Sequence, residues 1–268
     1  MVKRIGIDAG GSLIKLAIEE TDRFTFKKYP IAQLEEAARW LAMISQQAEI
    51  NLTGGKADFL KQKFFSNARI VKEFDAVCEG ANFLIKKTGM KMDQRFLLVN
   101  IGTGTSWYVI DGENTERIMG SGIGGGTLMG LGALLSGKTE YSQLVEEAKV
   151  GNRGNVDLLV KDIYHPAQPP IEGNLTASNF AKVATGIAHT ESDKLAALVN
   201  MIAETIVLLS IQAAELSQST GVVYIGSTLI GNSKLRTILE EFSTKVGLAP
   251  YFLADGEYCG AIGSLIVS

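Results

Sequence analysis

The sequence predicts an α/β protein made of two related lobes, and three observations lead to this prediction. Apolar strands alternate with helical segments along the 268 residues, which is typical of the α/β class. An apolar strand that runs into a turn of small residues occurs three times, and in two cases a second strand follows. The hydrophobic fraction of 46% and the charged fraction of 21% are ordinary for a globular protein with a sizeable core.

The three turns share glycines and hydroxyl side chains. The first follows the strand at 5–9 and contains Gly10, Gly11 and Ser12; the second occupies 102–106 and the third 226–228. Glycine lets a backbone come close to an anion, with its N–H groups directed at the charge. Two such hairpins facing each other across a cleft would hold a polyphosphate from both sides, and the third turn would hold the rest of a nucleotide.

The first lobe is expected to span residues 1–95, and the polar segment 89–95 is the candidate boundary. Apolar residues at helical spacing predict the helix at 31–47. A possible helix cap at Asp75 predicts the start of another. In order, the predicted elements are two strands within 2–20, a helix at 31–47, a strand at 50–52, a helix at 58–65, a strand at 68–74 and a helix from Asp75 to 87.

The second lobe is expected to span residues 96–268 and to start with the second hairpin. Gly137 is a natural stop for a helix that begins after the glycine-rich segment 120–126. The predicted elements are a hairpin at 96–110, a strand at 115–119, helices at 127–136, 141–148 and 156–163, a helix that opens at Thr176, a long apolar helix at 195–216, a strand at 222–225, a helix at 234–246, a strand at 249–253 and a helix at 258–267.

Composition and charge argue against several classes of protein. A net charge of −3 gives no basic surface for nucleic acid. Two cysteines are too few for a disulfide scaffold, and His165 and His189 lie in no ligand-spaced cluster. The longest apolar stretch, 201–216, is shorter than the roughly 20 residues that span a bilayer, and no signal peptide is recognised. We therefore expect a cytoplasmic protein that binds neither nucleic acid nor membrane.

Two glycine motifs match known patterns but lack the required context. Residues 132–139 match the Walker A pattern, yet helix formers precede and fill the motif, so we expect a helix that ends at Gly137. Residues 120–125 match the dinucleotide fingerprint, but two predicted helices follow instead of a second strand. A glycine-rich loop before a helix is still an anion site, so 124–128 is assigned to nucleotide contact.

Four charged residues are candidates for the chemistry of a polyphosphate cleft. Asp8 ends a strand beside a glycine turn, where a carboxylate can hold Mg²⁺ through water, and Lys15 on the returning strand can reach a phosphate. Glu73 follows the strand that ends near 71, and it is the best candidate base for the attacking hydroxyl. Arg117 could hold a substrate carboxylate with two hydrogen bonds. For each, an ordinary turn or surface position is the alternative.

The motifs resemble those of the actin-like ATPase superfamily of sugar kinases, Hsp70 and actin, and within it the type II pantothenate kinases. The turns at 8–12, 102–105 and 225–227 are similar to the two phosphate motifs and the adenosine motif of the superfamily. The segments 73–76 and 175–179 are more specific to the kinases. The matching segments, in the expected order, are 6–15, 73–76, 100–106, 122–126, 157–158, 169–170, 175–180 and 224–227.

This resemblance implies a two-lobed actin-like ATPase (ribonuclease H-like) fold with duplicated mixed sheets, and ATP-dependent phosphorylation of pantothenate in coenzyme A synthesis. It implies Glu73 as the base, Mg²⁺ on Asp8, and a homodimer. Pantothenate would lie near Glu73, Arg117, Thr176 and Ala177. The implied ATP contacts are Asp8, Ala9, Gly10, Gly11, Ser12, Leu13, Ile14, Lys15, Thr103, Gly125, Gly126, Thr127, Leu128, Met129, Tyr141 and Ser227.

Two other functions remain open at the level of the sequence. A sugar or amino-sugar kinase would share the fold, although such enzymes usually employ an Asp base and many carry a Cys/His zinc cluster. An ATP-switched binding protein, such as Hsp70 or actin, would bind ATP without a small acceptor.

Overall fold

The structure is a computed structural model that describes residues 4–21, 23–45, 48–186 and 188–267. Its first sheet has the strand order β3-β2-β1-β4-β5. The elements that build this part of the chain are β1 (Arg4–Ala9), β2 (Leu13–Glu20), β3 (Arg23–Pro30), α1 (Leu34–Ile44), β4 (Glu49–Thr53), α2 (Ala57–Lys63), β5 (Arg69–Ile70) and α3 (Glu73–Thr88).

The second sheet has the strand order β12-β11-β6-β7-β8, and β9 and β10 form a separate pair. The elements are β6 (Arg95–Ile101), β7 (Thr105–Asp111), β8 (Asn114–Ser121), α4 (Gly125–Ser136), α5 (Tyr141–Val150), β9 (Leu158–Leu159), α6 (Val160–Tyr164), β10 (Thr176–Ser178), α7 (Glu191–Ser217), β11 (Gly221–Ile225), α8 (Ser233–Lys245), β12 (Ala249–Phe252) and α9 (Cys259–Ile266).

The two sheets are built on one plan. In the first, β1 pairs antiparallel with β2 and parallel with β4. In the second, β6 pairs antiparallel with β7 and parallel with β11. Each sheet continues with a third antiparallel strand on one side and a further parallel strand on the other. The predicted α/β class with duplicated mixed sheets is therefore confirmed, and each copy places a hairpin turn at the same relative position.

Helices α3 and α9 lie between the two sheets. Val77 of α3 and Ile262 of α9 share a core cluster with Ala17 of β2 and Leu98 of β6. A second cluster buries the outer face of the first sheet under α1 and α2, and a third buries the second sheet under α4, α5, α7 and α8. The sheets divide at about residue 95, but α9 contacts β1 and β4 across that point. The exact division at 95 stays a prediction.

The strand predicted at 68–74 is shorter, because the chain turns into a helix early. Of the segment 68–74, only the two residues of β5 pair with β4 as a strand. The Val71 N–H then donates to the Leu52 carbonyl, and the chain leaves the sheet at Lys72. Glu73 and Asp75 both lie in the first turn of α3, where negative side chains favour the helix dipole. Asp75 is therefore inside the helix rather than its cap, and Glu73 is its first residue.

Other predicted elements differ in type or extent. The edge strand β3 was not predicted, and the helix expected at 31–47 ends at Ile44, while Gln46 and Gln47 lie outside the described residues. The helix expected at 156–163 is a two-residue strand followed by the short helix α6. Thr176 opens a strand rather than a helix. The long apolar helix begins earlier than 195, at Glu191, because the Thr190 side chain caps it by accepting from the Asp193 N–H.

Both rejected motifs occupy the structures expected of them. Residues 125–136 form α4, which ends at Gly137 with φ 71° in the left-handed region. Lys138, the lysine of the Walker-like motif, forms ion pairs at the surface. Its Nζ lies 2.9 Å from a carboxylate oxygen of Glu147 and 2.8 Å from one of Glu191. The helices α4 and α5 follow the second glycine motif, as expected. The segment 132–139 spans the end of α4, so it lacks the strand–loop–helix order of a P-loop. The segment 120–125 does lie between β8 and α4, but β8 is an antiparallel edge strand and α5 follows α4, so this part of the chain is not the parallel βαβ unit of a Rossmann turn.

One helix among the described residues, Glu191–Ser217, is long and apolar enough to cross a membrane by length and composition alone. In the fold 61% of its most apolar window is buried inside the protein. Its Trp107-facing residue Ser210 accepts a hydrogen bond of 2.8 Å from the indole Nε1. These contacts place the helix, α7, in the core cluster that covers the second sheet.

The crossing of α3 and α9 depends on glycine, and we expect Gly80→Ala to destabilise the fold. A Cβ at Gly80 would overlap the carbonyl of Cys259, which belongs to rigid backbone. Overpacking of this kind costs about 1–3 kcal/mol in the free energy of unfolding, measurable by urea denaturation. The matched control is Gly130→Ala on α4, where nothing lies within 4 Å and helix propensity should stabilise by about 0.5–1 kcal/mol. Equal effects of the two substitutions would contradict the proposed close crossing.

Candidate active site

The turns of the two hairpins meet. In the first, Ala9 pairs with Ile14, and the Gly10 N–H closes the turn by donating to the Leu13 carbonyl at 3.0 Å. In the second, Ile101 pairs with Thr105 across a three-residue turn. Ser12 Oγ lies 2.8 Å from Thr103 Oγ1, so the two turns are joined by a hydroxyl–hydroxyl hydrogen bond. The predicted facing arrangement of the hairpins is present.

The glycine-rich loop supports the second turn. The Gly125 N–H donates to the Gly102 carbonyl and the Gly126 N–H to the Thr103 carbonyl, both at 2.8 Å. Thr127 closes the loop by donating to the Gly122 carbonyl and accepting from the Gly124 N–H. The N–H groups of Gly125 and Gly126 are therefore bonded within the chain, and the assignment of 124–128 to nucleotide contact stays a prediction.

A cleft of about 440 Å³ lies between the hairpin turns, α4 and the third turn. Eight of the predicted ATP contacts line it: Ser12, Leu13, Thr103, Gly125, Gly126, Met129, Tyr141 and Ser227. Lining residues that are not among the predicted ATP contacts are Lys28, Pro30, Gly102, Thr139, Glu140, Thr228 and Ile230.

Tyr141 and Thr228 tie this cleft to the third turn. The Tyr141 hydroxyl donates to the Thr228 carbonyl at 2.5 Å, and Thr228 Oγ1 donates to the Gly102 carbonyl at 2.9 Å. Burial raises the pKa of Tyr141 to about 12, so its hydroxyl stays a donor at neutral pH. Thr228 belongs to the predicted third turn but is not among the predicted ATP contacts, and its hydroxyl next to Ser227 is the signal that could have added it.

Three of the predicted ATP contacts have apolar side chains buried in the core. Ala9, Ile14 and Leu128 all belong to hydrophobic core clusters. Only their backbone atoms are therefore in a position to meet a ligand. In the first turn Gly11 is exposed and Gly10 is partly exposed.

Asp8 and Lys15 form a pair below the first turn. They are cross-strand partners, and Lys15 Nζ lies 3.7 Å from Asp8 Oδ2. The Asp8 carboxylate packs closely against the backbone of Gly54 and Gly260. A Cβ at either glycine would lie 2.8 Å from one of its oxygens. Burial raises the pKa of Asp8, and the charge of Lys15 and a hydrogen bond from it oppose that shift.

Glu73 lies within electrostatic reach of this pair. Its side chain is exposed at the first turn of α3. Partial burial raises the pKa of Glu73, the Asp8 carboxylate raises it further, and Lys15 and Arg117 lower it. Glu73 thus interacts electrostatically with Asp8, Lys15 and Arg117, and the roles assigned to these four residues stay predictions.

Arg117 is positioned by aromatic rings. It is the cross-strand partner of Tyr108, and its guanidinium carbon lies 4.9 Å from the centre of the Phe74 ring. Phe74 in turn packs edge-on against Tyr108, with 5.9 Å between ring centroids. Because Phe74 follows Glu73 directly, the start of α3 contacts Arg117 and also carries Glu73, which are two of the four residues that the sequence assigns to the acceptor.

Comparisons of sequence with known proteins identify the family of this chain. The sequence model of the Fumble family matches residues 17–267. The chain belongs to the Fumble family. A relative in Oceanobacillus iheyensis named type II pantothenate kinase is 40% identical over 267 residues, which covers 100% of both chains. The resemblance stated from the sequence is confirmed.

Solved structures with low sequence identity share the fold. Component A of (R)-2-hydroxyglutaryl-CoA dehydratase from Acidaminococcus fermentans superposes with a TM-score of 0.67 at 15% identity, covering 98% of this chain and 96% of that one. A ROK family glucokinase from Streptomyces griseus, in complex with glucose and AMPPNP, gives 0.55 at 13% identity with 99% of each chain covered. The predicted actin-like ATPase fold is confirmed.

Thr176 of this Fumble family member lies in a polar network, and Ala177 follows it in β10. Thr176 Oγ1 accepts from Arg153 Nη1 at 2.8 Å and donates to Glu204 Oε1 at 2.6 Å. Arg153 also lies 3.4 Å from Asp157, whose side chain is fully buried. The assignment of Thr176 and Ala177 to pantothenate stays a prediction.

The residues around Asp8 fit a magnesium ion held mainly by ligand oxygens. Within the described residues, no group of three or more His, Cys, Asp and Glu side chains could hold a metal. Mg²⁺ commonly binds one or two carboxylates together with substrate phosphates and water. Asp8 would supply that single carboxylate, and the ion would neutralise phosphate charge.

We expect Asp8→Asn to stabilise the ligand-free protein at neutral pH. Because the pKa of Asp8 is raised in the native state, folding binds its proton, and stability is lost as the pH rises through that pKa. Removing the charge should raise the melting temperature at pH 7 by about 2–4 °C, or roughly 1 kcal/mol.

The gain should vanish in acid, below the ordinary pKa of aspartate, where Asp8 is neutral in both states. Asp58→Asn, at an exposed position in the first turn of α2, is the control and should give no gain. A lower melting temperature for Asp8→Asn at pH 7 would mean that pairing with Lys15 outweighs the cost of burial.

Proposed function

We propose that this chain transfers the terminal phosphoryl group of ATP to pantothenate, the first step of coenzyme A synthesis. The observation that carries the proposal is the full-length likeness to type II pantothenate kinases, at 40% identity. The position of Glu73 beside Asp8, Lys15 and Arg117 supports it, because phosphoryl transfer needs charge neutralisation and a proton acceptor in one place.

ATP is assigned to the cleft between the hairpin turns. Hydroxyl groups of Ser12, Thr103 and Ser227 line it together with Tyr141. The glycine turns allow a close approach of phosphate to backbone. Asp8 and Lys15 neutralise each other in the ligand-free protein. When ATP binds, Asp8 would hold Mg²⁺ and Lys15 would act as a point charge on a phosphate.

Glu73 is assigned as the base that takes the proton of the pantothenate hydroxyl. A base works best when its pKa lies near the working pH, and the environment raises the pKa of Glu73 in that direction. Arg117 is assigned to the carboxylate of pantothenate, which would turn the far hydroxyl toward Glu73. Thr176 and Ala177 stay in the assignment on the family resemblance alone.

A sugar kinase remains the second candidate on the same fold. The likeness to a glucokinase is at 13% identity, which is evidence for the fold alone. An acidic acceptor is favoured by the position of Arg117, because its guanidinium lies over Phe74 beside the proposed base. Hexoses carry no carboxylate for it to bind.

The cytoplasm is the proposed location. Both cysteines, Cys78 and Cys259, are free and buried, in keeping with a reducing compartment. Burial raises the pKa of the Cys78 thiol to about 12, so it is not a reactive thiolate.

The function is tested by release of ADP in a coupled assay, with pantothenate or hexoses as acceptor. We expect pantothenate alone to accelerate ADP release, and Glu73→Gln to lower kcat by about 10²–10⁴-fold while ATP still binds. Because the base must be deprotonated, kcat/KM of the unmodified enzyme should fall as the pH drops through the raised pKa of Glu73.

Asp75→Asn is the matched control, since Asp75 lies in the same exposed helical turn. Its kcat should stay within about threefold of the unmodified enzyme, a small change on the scale of catalytic effects. A Glu73→Gln variant with a near-normal rate would remove Glu73 from the base role. Acceleration by hexoses and not by pantothenate would favour the second candidate.

A homodimer is also proposed, with apolar side chains on α4 and α7 as the contact. Leu134 is 82% exposed and Leu208 63% exposed, although both lie on helices that pack together. Light scattering after gel filtration should give twice the chain mass of 28.8 kDa. Leu208→Glu should shift the mass toward the monomer, and Met43→Glu, at an exposed position on α1, should not. A monomer in the unmodified protein would contradict the proposal.

A further inference from the structure

Lys28 on the edge strand β3 faces the middle of the molecule. Side chains alternate along the strand, so Phe26 and Lys28 share one face. Phe26 stacks on Tyr258 with 4.5 Å between ring centroids, and Lys28 Nζ lies 3.2 Å and 3.1 Å from the two carboxylate oxygens of Glu257. Lys27 faces the other way, with its ammonium 4.6 Å from the centre of the Trp40 ring.

The Lys28–Glu257 pair is asymmetric in exposure. The Glu257 side chain is 7% exposed, whereas that of Lys28 is 40% exposed. A buried carboxylate needs a charged or hydrogen-bonded partner, which Lys28 supplies. Because its partner is buried, the ammonium is held at a fixed point while still in contact with solvent. That point is the lining of the 440 Å³ cleft, which also contains Ser12 and Tyr141.

Lys28 is the more available of the two lysines near the first hairpin. Lys15 is its cross-strand partner on β2, but the side chain of Lys15 is 13% exposed and is paired with Asp8. Among the described residues that line the cleft, Lys28 is the one cationic side chain. The ammonium carries three hydrogens, and the carboxylate oxygens of Glu257 account for two. One hydrogen is left to be directed at a ligand oxygen.

We propose that Lys28 binds a phosphate oxygen of the nucleotide in this cleft, and that Glu257 is the residue that positions it. The inference rests on the proposed function in taking that nucleotide to be ATP. A lysine ammonium is a compact point charge suited to phosphate. Because the buried Glu257 carboxylate already holds Lys28 in place, the side chain loses less conformational entropy when the ligand binds.

The test is calorimetric titration with ADP and with adenosine. A lost charged hydrogen bond should weaken the binding of ADP to Lys28→Met by about 10-fold or more. Adenosine, which has no phosphate, should bind as it does to the unmodified protein. Lys27→Met is the matched control, one residue away on the opposite face of β3, and should leave the affinity for ADP unchanged. Equal losses for ADP and adenosine would overturn the phosphate contact.

A purely structural tie between β3 and Glu257 predicts a different result for a double variant. Lys28→Met alone leaves a buried carboxylate unpaired, so its melting temperature should fall. Lys28→Met combined with Glu257→Gln removes that charge and should recover most of the melting temperature. The affinity for ADP should nevertheless stay low if Lys28 binds phosphate. Recovery of ADP affinity together with stability would overturn the proposal.

This experiment separates the inference from the proposed function. ADP binding is measured without pantothenate, so an unmodified protein that binds ADP but does not phosphorylate pantothenate would contradict the function alone. In that case a loss of ADP affinity in the double variant would still support the role of Lys28. An unmodified protein that fails to bind ADP would overturn both.

Discussion

A single backbone carbonyl, that of Gly102, holds the candidate active site together. It accepts from the Gly125 N–H at 2.8 Å and from Thr228 Oγ1 at 2.9 Å, which uses both lone pairs. One donor is the first residue of α4 and the other comes from the turn after β11. The second hairpin, the glycine-rich loop and the third turn therefore form one rigid unit. The first hairpin contacts that unit through Ser12 and Thr103.

Local patterns predicted the parts of the site that depend on local structure. Both hairpins and the third turn follow from apolar strands broken by glycine, and the end of α4 follows from Gly137. The edge strand β3 was missed because its few apolar positions, Phe24 and Phe26 on one face and Tyr29 on the other, are separated by charged and polar residues and give no clear apolar alternation. Thr176 was misassigned because hydroxyl residues that cap helices also occur in short strands.

Residues whose position depends on tertiary contacts could not be predicted. Lys28 and Glu257 are separated by 229 positions in the sequence, and neither lies in a glycine motif. The glycine-rich loop is a different case. Its composition predicts an anion site, but two of its N–H groups are taken up by Gly102 and Thr103. A pattern of residue types identifies groups able to bind an anion, and only the fold decides which of them remain available.

The position of α9 between the two sheets has a consequence for biosynthesis. This helix, the last element described, contacts β1 and β4 of the first sheet as well as α3. Asn51 of β4 donates a hydrogen bond of 2.8 Å to the Ser264 carbonyl of α9. During translation the first sheet therefore leaves the ribosome long before its covering helix does. Until then its inner face is uncovered, and that exposed surface is one that chaperones would recognise.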